Sequence, residues 1–133
     1  SIMIGTNDVW RQYDTPFIKE WHVYPDRYEA GLRALVERTK PLAGGLVLMT
    51  PFYLESNKQD AMRRTMDEYG AIVKRVAEEA GALFVDTQAA FDAVLKELYS
   101  ATLAWDRVHP TQAGHAVLAR AFLKAVGFDW NKD

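Results

Sequence analysis

The chain contains no cysteine. That excludes disulfides, thiolate metal sites and a cysteine nucleophile, and it says nothing firm about the cellular compartment. No apolar stretch approaches the ~20 residues that span a bilayer, so no membrane association is expected. No run rich in lysine and arginine stands out, and 16 basic residues stand against 18 acidic ones, for a formal net charge of −2. The electrostatic footprint of a nucleic-acid binder is missing. There is no internal repeat, low-complexity tract or linker. No signal peptide is read in these residues, and the cytoplasm is the expected compartment.

What is present suits one globular domain. The chain has 133 residues, 49% of them hydrophobic and 12% aromatic, enough to build a single core. Three short apolar runs, Ser1 to Ile4, Leu46 to Met49 and Leu83 to Val85, read as strands. Each is continuous rather than alternating, as expected of parallel strands covered on both faces. Helical periodicity fills the gaps. Tyr28, Leu32, Leu35 and Val36 follow a helix start at Pro25 and Asp26. Tyr69, Ile72, Val73, Val76 and Ala80 repeat the pattern and stop at Gly81. Phe91, Val94, Leu95 and Leu98 form a shorter helix with Thr87 as its cap, and Leu118, Phe122 and Val126 form the last, between Thr111 and Gly127. The order β-α-β-α-β-α-α defines an α/β domain with right-handed crossovers. The first strand opens without an initiator methionine and would leave a bare sheet edge. Further strands are therefore expected ahead of Ser1.

Parallel α/β sheets place their chemistry at the carboxyl ends of the strands. After the first strand comes "GTND", where Gly5 allows a tight turn and Asn7 carries an amide able to donate to a developing oxyanion. The competing reading is an Asx-turn or helix cap. Near the far end, "AWDRVHPTQAGH" sets Asp106 and His109 within one turn of chain, with Pro110 holding His109 extended and Thr111 opening a helix. A histidine base works best when a carboxylate holds its other ring nitrogen. Here the competing reading is a capping carboxylate beside a surface histidine.

Together the two motifs carry more. "GTND" and "DRVH" resemble the Gly-x-Asn-Asp and Asp-x-x-His blocks of the SGNH (GDSL-type) hydrolases, in the expected order. Through "NDVWRQYD", "MTPFY", "MRRTMDEYG" and "VDTQAAF" the chain is similar to the bacterial acetylxylan esterase branch of that family. The resemblance runs over essentially the whole chain. It implies a flavodoxin-like three-layer α/β/α fold, with residues 1–133 as the C-terminal part of one hydrolase domain lacking its N-terminal strands. It also implies a serine ester hydrolase of the EC 3.1.1 class, with Asn7 as oxyanion donor, His109 as base, Asp106 as its orienting carboxylate and Gly5 shaping the turn. No cofactor and no metal are expected. The implied substrate is a small acylated molecule of the acetylated xylo-oligosaccharide kind, and a homo-oligomer is a possible assembly.

The family's Gly-Asp-Ser block and the glycine of its second block are absent. Ser1, Ser56 and Ser100 are the serines present, and none follows a Gly-Asp pair. Ser1 opens a strand, Ser56 sits in a polar loop and Ser100 is expected to end a helix. The nucleophile is thus missing, and the chain alone is expected to be inactive. Two other readings stand beside this one: a metal-dependent phosphoesterase using Asn7, Asp8, Asp106 and His109, and a non-catalytic relative of the fold.

Several further residues bear on the site. Trp10, Tyr13, Phe17, Trp21 and Tyr24 follow the GTND turn and suit a sugar-binding wall, a subunit interface or local loop packing. Trp105 is a candidate lining of the acyl pocket, or else a cover over the last helix. His22 is expected in isolation on a loop. His115 stands six residues after His109, which matches no common metal motif. The Arg63–Arg64 and Glu78–Glu79 pairs are expected on a solvated helix face.

Overall fold

A computed structural model describes residues 1–129 and 132. Its sheet has three parallel strands in the order β1 (Ile2–Met3), β2 (Val47–Met49) and β3 (Leu83–Val85), with Ile2 opposite Leu48 and Leu48 opposite Phe84. Between and after them come α1 (Thr6–Asp14), α2 (Pro25–Thr39), α3 (Ala61–Ala80), α4 (Thr87–Val94), α5 (Ser100–Leu103) and α6 (Gln112–Ala125). Short 3₁₀ turns at Lys19–Trp21 and Lys40–Leu42 complete the order. Among the described residues, no helix is long and apolar enough to cross a membrane.

The layers follow from side-chain alternation along the strands. Leu46 and Leu48 face a core built with Tyr28, Leu32 and Val36 of α2 and Met66, Tyr69, Val73 and Val76 of α3. Val47, Met49 and Val85 face the other way, against Ala121, Phe122 and Ala125 of α6. All three residues of β2 are buried, as a strand covered on both faces requires. A third cluster joins Phe52 and Leu54, just past β2, to Phe91 of α4, Leu103 of α5 and Leu118 of α6. This is the flavodoxin-like α/β/α arrangement, seen over three strands.

Most elements lie where the apolar pattern puts them, and the differences have physical causes. The tight turn at Gly5 leads directly into a nine-residue helix that the apolar pattern does not announce. Gly5 supplies its left-handed cap position (φ 118), which only glycine adopts without strain. Asp86, not Thr87, caps α4, accepting from Ala89 N at 2.8 Å. The Thr87 hydroxyl instead turns into the core, donating to Thr50 O at 2.5 Å. Leu98 lies beyond the end of α4, and Ser100 begins α5 rather than ending a helix. Gly81 (φ 63) does end α3, and the Thr111 hydroxyl caps α6 by accepting from Gly114 N.

The arginine pair is split. Arg64 is exposed with Glu78 and Glu79, but Arg63 is only 2% exposed. Its guanidinium forks onto Asp92 at 2.9 and 2.7 Å and also reaches Asp67 at 2.9 Å and Glu55 O at 2.6 Å. A charge can be buried when it is paired and hydrogen-bonded in this way. His22 is likewise buried rather than isolated, its ring nitrogens 3.2 Å from Tyr24 Oη and 3.1 Å from Thr15 O.

Candidate active site

The site forms where the carboxyl ends of β1 and β2 meet the loop ahead of α6. Asp106 organises that loop with a single carboxylate. Its Oδ1 accepts from Val108 N at 3.0 Å and His109 N at 2.8 Å, and its Oδ2 lies 2.6 Å from His109 Nδ1. Local burial opposes ionisation of Asp106, but the hydrogen bonds from the His109 amide, its ring and the Val108 amide prevail, holding the carboxyl at about 2. An ionised carboxylate only accepts, so Nδ1 carries the proton of the neutral ring and Nε2 its lone pair. No hydrogen bond occupies Nε2 among the described residues, and the imidazole is largely exposed.

Arg107, inside the turn, is the one described non-glycine residue with positive φ (67). That conformation folds Asp106 back over the amides that follow it. Behind the ring, Trp10 makes an edge-on contact with His109, centroids 5.2 Å apart and planes at 82°. Arg11 lies 4.4 Å over the Trp10 indole. The tryptophan thus limits how far the imidazole can swing.

Asn7 occupies the first turn of α1 and is exposed. Its side-chain amide makes no hydrogen bond among the described residues. It therefore is neither an Asx-turn nor a cap, and its N–H donors are unspent. Asn7 and His109 line one cleft of about 390 Å³, together with Met3, Ile4, Gly5 and Phe52. Gly5 has a second reason to be glycine, since a Cβ there would sit 2.9 Å from Tyr28 Oη and 3.1 Å from the Pro51 ring. Neighbouring Asp8 is half-buried, and that burial raises its pKa against a smaller opposing backbone hydrogen bond.

The other candidates divide. Trp105 is 77% exposed and lines a different cleft, with Glu55, Leu98, Tyr99 and Arg107. Ser56 and Ser100 line that second cleft too, and no serine lines the first. The aromatic run does not form one wall. Trp10 faces His109, Tyr13 bonds Ala61 O and Thr65 on α3, and Phe17 projects into solvent. Among the described residues, no three His, Cys, Asp or Glu side chains are grouped to hold a metal ion.

A parallel sheet of this order, with Asn7 and the Asp106-paired His109 lining one cleft at its edge, is the arrangement of a hydrolase class. The family model for GDSL-like lipases and acylhydrolases matches residues 1–117, and the chain belongs to that family. An acetylxylan esterase of Geobacillus stearothermophilus is 70% identical over 130 residues, covering 98% of this chain and 59% of that protein. The crystal structure of an acetylxylan esterase from the same organism superposes with a TM-score of 0.96 at 68% identity, over 99% of this chain and 60% of that one. An α/β hydrolase from the metagenome of Lake Arreo, Spain, gives a TM-score of 0.92 at 53% identity, over 95% of this chain and 58% of that one. The chain thus spans about three-fifths of the length of these relatives.

Proposed function

We propose that these residues supply the base and one oxyanion donor of a serine esterase that removes acetyl groups from xylan-derived sugars. The serine comes from outside the 133 residues. The observation that carries this reading is the 2.6 Å contact between Asp106 Oδ2 and His109 Nδ1, with no hydrogen bond to Nε2 among the described residues. The identity to acetylxylan esterases supports the choice of acyl group and sugar.

The steps follow from the geometry. His109 Nε2 takes the serine proton as the hydroxyl oxygen attacks the acetyl carbonyl, and Asp106 stabilises the imidazolium that forms. The Asn7 amide donates to the carbonyl oxygen as it becomes an oxyanion, a contact worth about 2.7–4 kcal/mol in the transition state. His109 then gives the proton to the departing sugar hydroxyl, leaving an acetyl-serine. Water, deprotonated by the same nitrogen, attacks the acetyl carbon, and that nitrogen returns the proton to the serine oxygen as acetate leaves. Every proton is accounted for without a cofactor.

The test joins labelling to turnover. The 133-residue chain should hydrolyse no aryl acetate and take up no organophosphorus serine reagent. A protein extended to include a serine at the cleft should do both, and should release acetate from acetylated xylo-oligosaccharides in the presence of chelator. Stoichiometric labelling of Ser1, Ser56 or Ser100 would overturn the assignment of the nucleophile. Loss of turnover with chelator would revive the metal reading.

A further inference from the structure

The Asp106–His109 turn is held by ties that come from far away in the chain. Arg107, at its centre, is fixed at three points. Its carbonyl accepts from Leu54 N at 3.0 Å, its guanidinium meets Glu55 Oε2 at 2.5 Å, and the same group lies 5.2 Å over the Tyr53 ring. All three partners belong to one short segment, Tyr53 to Glu55, just past β2.

That segment is itself anchored. Gln88 of α4 clasps Tyr53, accepting from its N at 2.8 Å and donating to its O at 3.1 Å. Gln88 Nε2 also bonds Asp92 Oδ1 at 2.9 Å, and Asp92 takes the fork of buried Arg63, which in turn holds Glu55 O. Both ends of the segment are therefore fastened to α3 and α4, and its middle grips Arg107.

We propose that Arg107 and Glu55 are positioning residues for His109, acting from the Arg63–Asp92–Gln88 network. The left-handed backbone of Arg107 is one that non-glycine residues seldom adopt. Whatever keeps it there also fixes where Asp106 and the imidazole lie relative to one another and to Asn7. A lone ion pair as exposed as Arg107–Glu55 contributes little. Its effect here depends on the carbonyl tie and the ring contact converging on the same residue. The proposal rests on the esterase reading only for its kinetic consequence.

The experiment uses variants that separate side chain from backbone. Arg107→Gly keeps the left-handed turn without strain but removes the ion pair and the ring contact. Glu55→Gln keeps the shape and removes the charge, and Arg107→Lys restores a cation. Arg33→Gln, which removes the two ion pairs from Arg33 of α2 to Glu29 and Glu79, is the control. In ¹⁵N-histidine-labelled protein, the downfield Nδ1–H signal of His109 should broaden or vanish in Arg107→Gly and Glu55→Gln. It should persist in the control and partly return in Arg107→Lys. Where the protein turns over acetyl esters, kcat should fall about 10–100-fold with KM nearly unchanged, as a displacement of about 1 Å produces. An intact Nδ1–H signal in both Arg107→Gly and Glu55→Gln overturns the proposal, even if both variants melt at lower temperature. Loss of the signal in a protein that carries a serine at the cleft yet hydrolyses no acetyl ester would uphold the positioning role and sink the esterase reading.

Discussion

Adding one methyl group at Gly114 should destabilise the protein, although glycine-to-alanine changes inside helices usually do the opposite. Gly114 lies in the first turn of α6. A Cβ there would sit 2.4 Å from the backbone oxygen of Leu103 and 2.9 Å from Pro110 Cβ. Carbon and oxygen settle no closer than about 3.3 Å, so about 0.9 Å of relief is needed. The Leu103 carbonyl cannot give way easily, because it accepts from Thr111 N at 2.7 Å and from the Thr111 hydroxyl at 3.1 Å. Overpacking of this kind costs about 1–3 kcal/mol, against a helix-propensity gain of at most about 1 kcal/mol. Gly114→Ala should therefore lower stability by about 1–2 kcal/mol, and the melting temperature by about 3–10 °C. Gly31 is the internal comparison. It lies in α2 with nothing within 4 Å of its would-be Cβ, so Gly31→Ala should add about 0.5–1 kcal/mol. Urea denaturation of both variants, with m unchanged, reads the two signs directly. If Gly114→Ala matches Gly31→Ala, the α5–α6 contact is looser than described and the packing argument fails.

In a protein with a working site, Asn7→Ala should lower turnover by about 10²–10³-fold with little change in KM, since the amide acts on charge that develops only in the transition state; turnover within threefold of the parent would reduce Asn7 to a helix residue. Asp106→Asn should retain the fold, because Oδ1 can still accept from Val108 and His109, yet turnover should fall by up to about 10⁴-fold as the ring adopts the wrong tautomer. Survival of full activity would assign Asp106 to capping alone. The Asp106 carboxyl, lowered from 3.8 to about 2, contributes stability that is complete above about pH 4 and lost as pH falls through about 2. The Val108 and His109 amide shifts, followed by acid titration, should move together near pH 2; a midpoint close to 3.8 would mean that the carboxylate is not held as described.

The sequence made local relations legible and long-range ones illegible. Asp106 and His109 are three apart, so one turn of chain brings them together whatever else the fold does, and the residue types announce it. The strands showed as continuous apolar runs because β2 is buried on both faces. Helix α1 did not show, because Val9 is its one buried residue and its start is set by the backbone of Gly5 rather than by an apolar stripe. In "VDTQ" two good caps stand side by side, and only the inward turn of Thr87 toward Thr50 decides between them. Arg63 beside Arg64 looked like a solvated pair because Asp92, its fork partner, is 29 positions away. Glu55 and Arg107 are 52 positions apart, and no pattern in the chain joins them.

That division bears on what distinguishes a competent site from a remnant of one. The aspartate–histidine pair, being local, would persist in a relative that had lost its chemistry. The distance between Asn7 and His109 would not, because these residues come from opposite ends of the chain. The segment past β2 links them. On one side Phe52 N donates to the Thr6 hydroxyl at 3.3 Å, next to Asn7. On the other, Leu54 N donates to Arg107 O at 3.0 Å, within the histidine turn. Two residues apart on one short stretch, Phe52 and Leu54 thereby tie the helix start that carries Asn7 to the turn that carries His109. Both donors are main-chain N–H groups, so Phe52→Pro or Leu54→Pro, which removes one of them, should disturb the site while leaving both motifs intact.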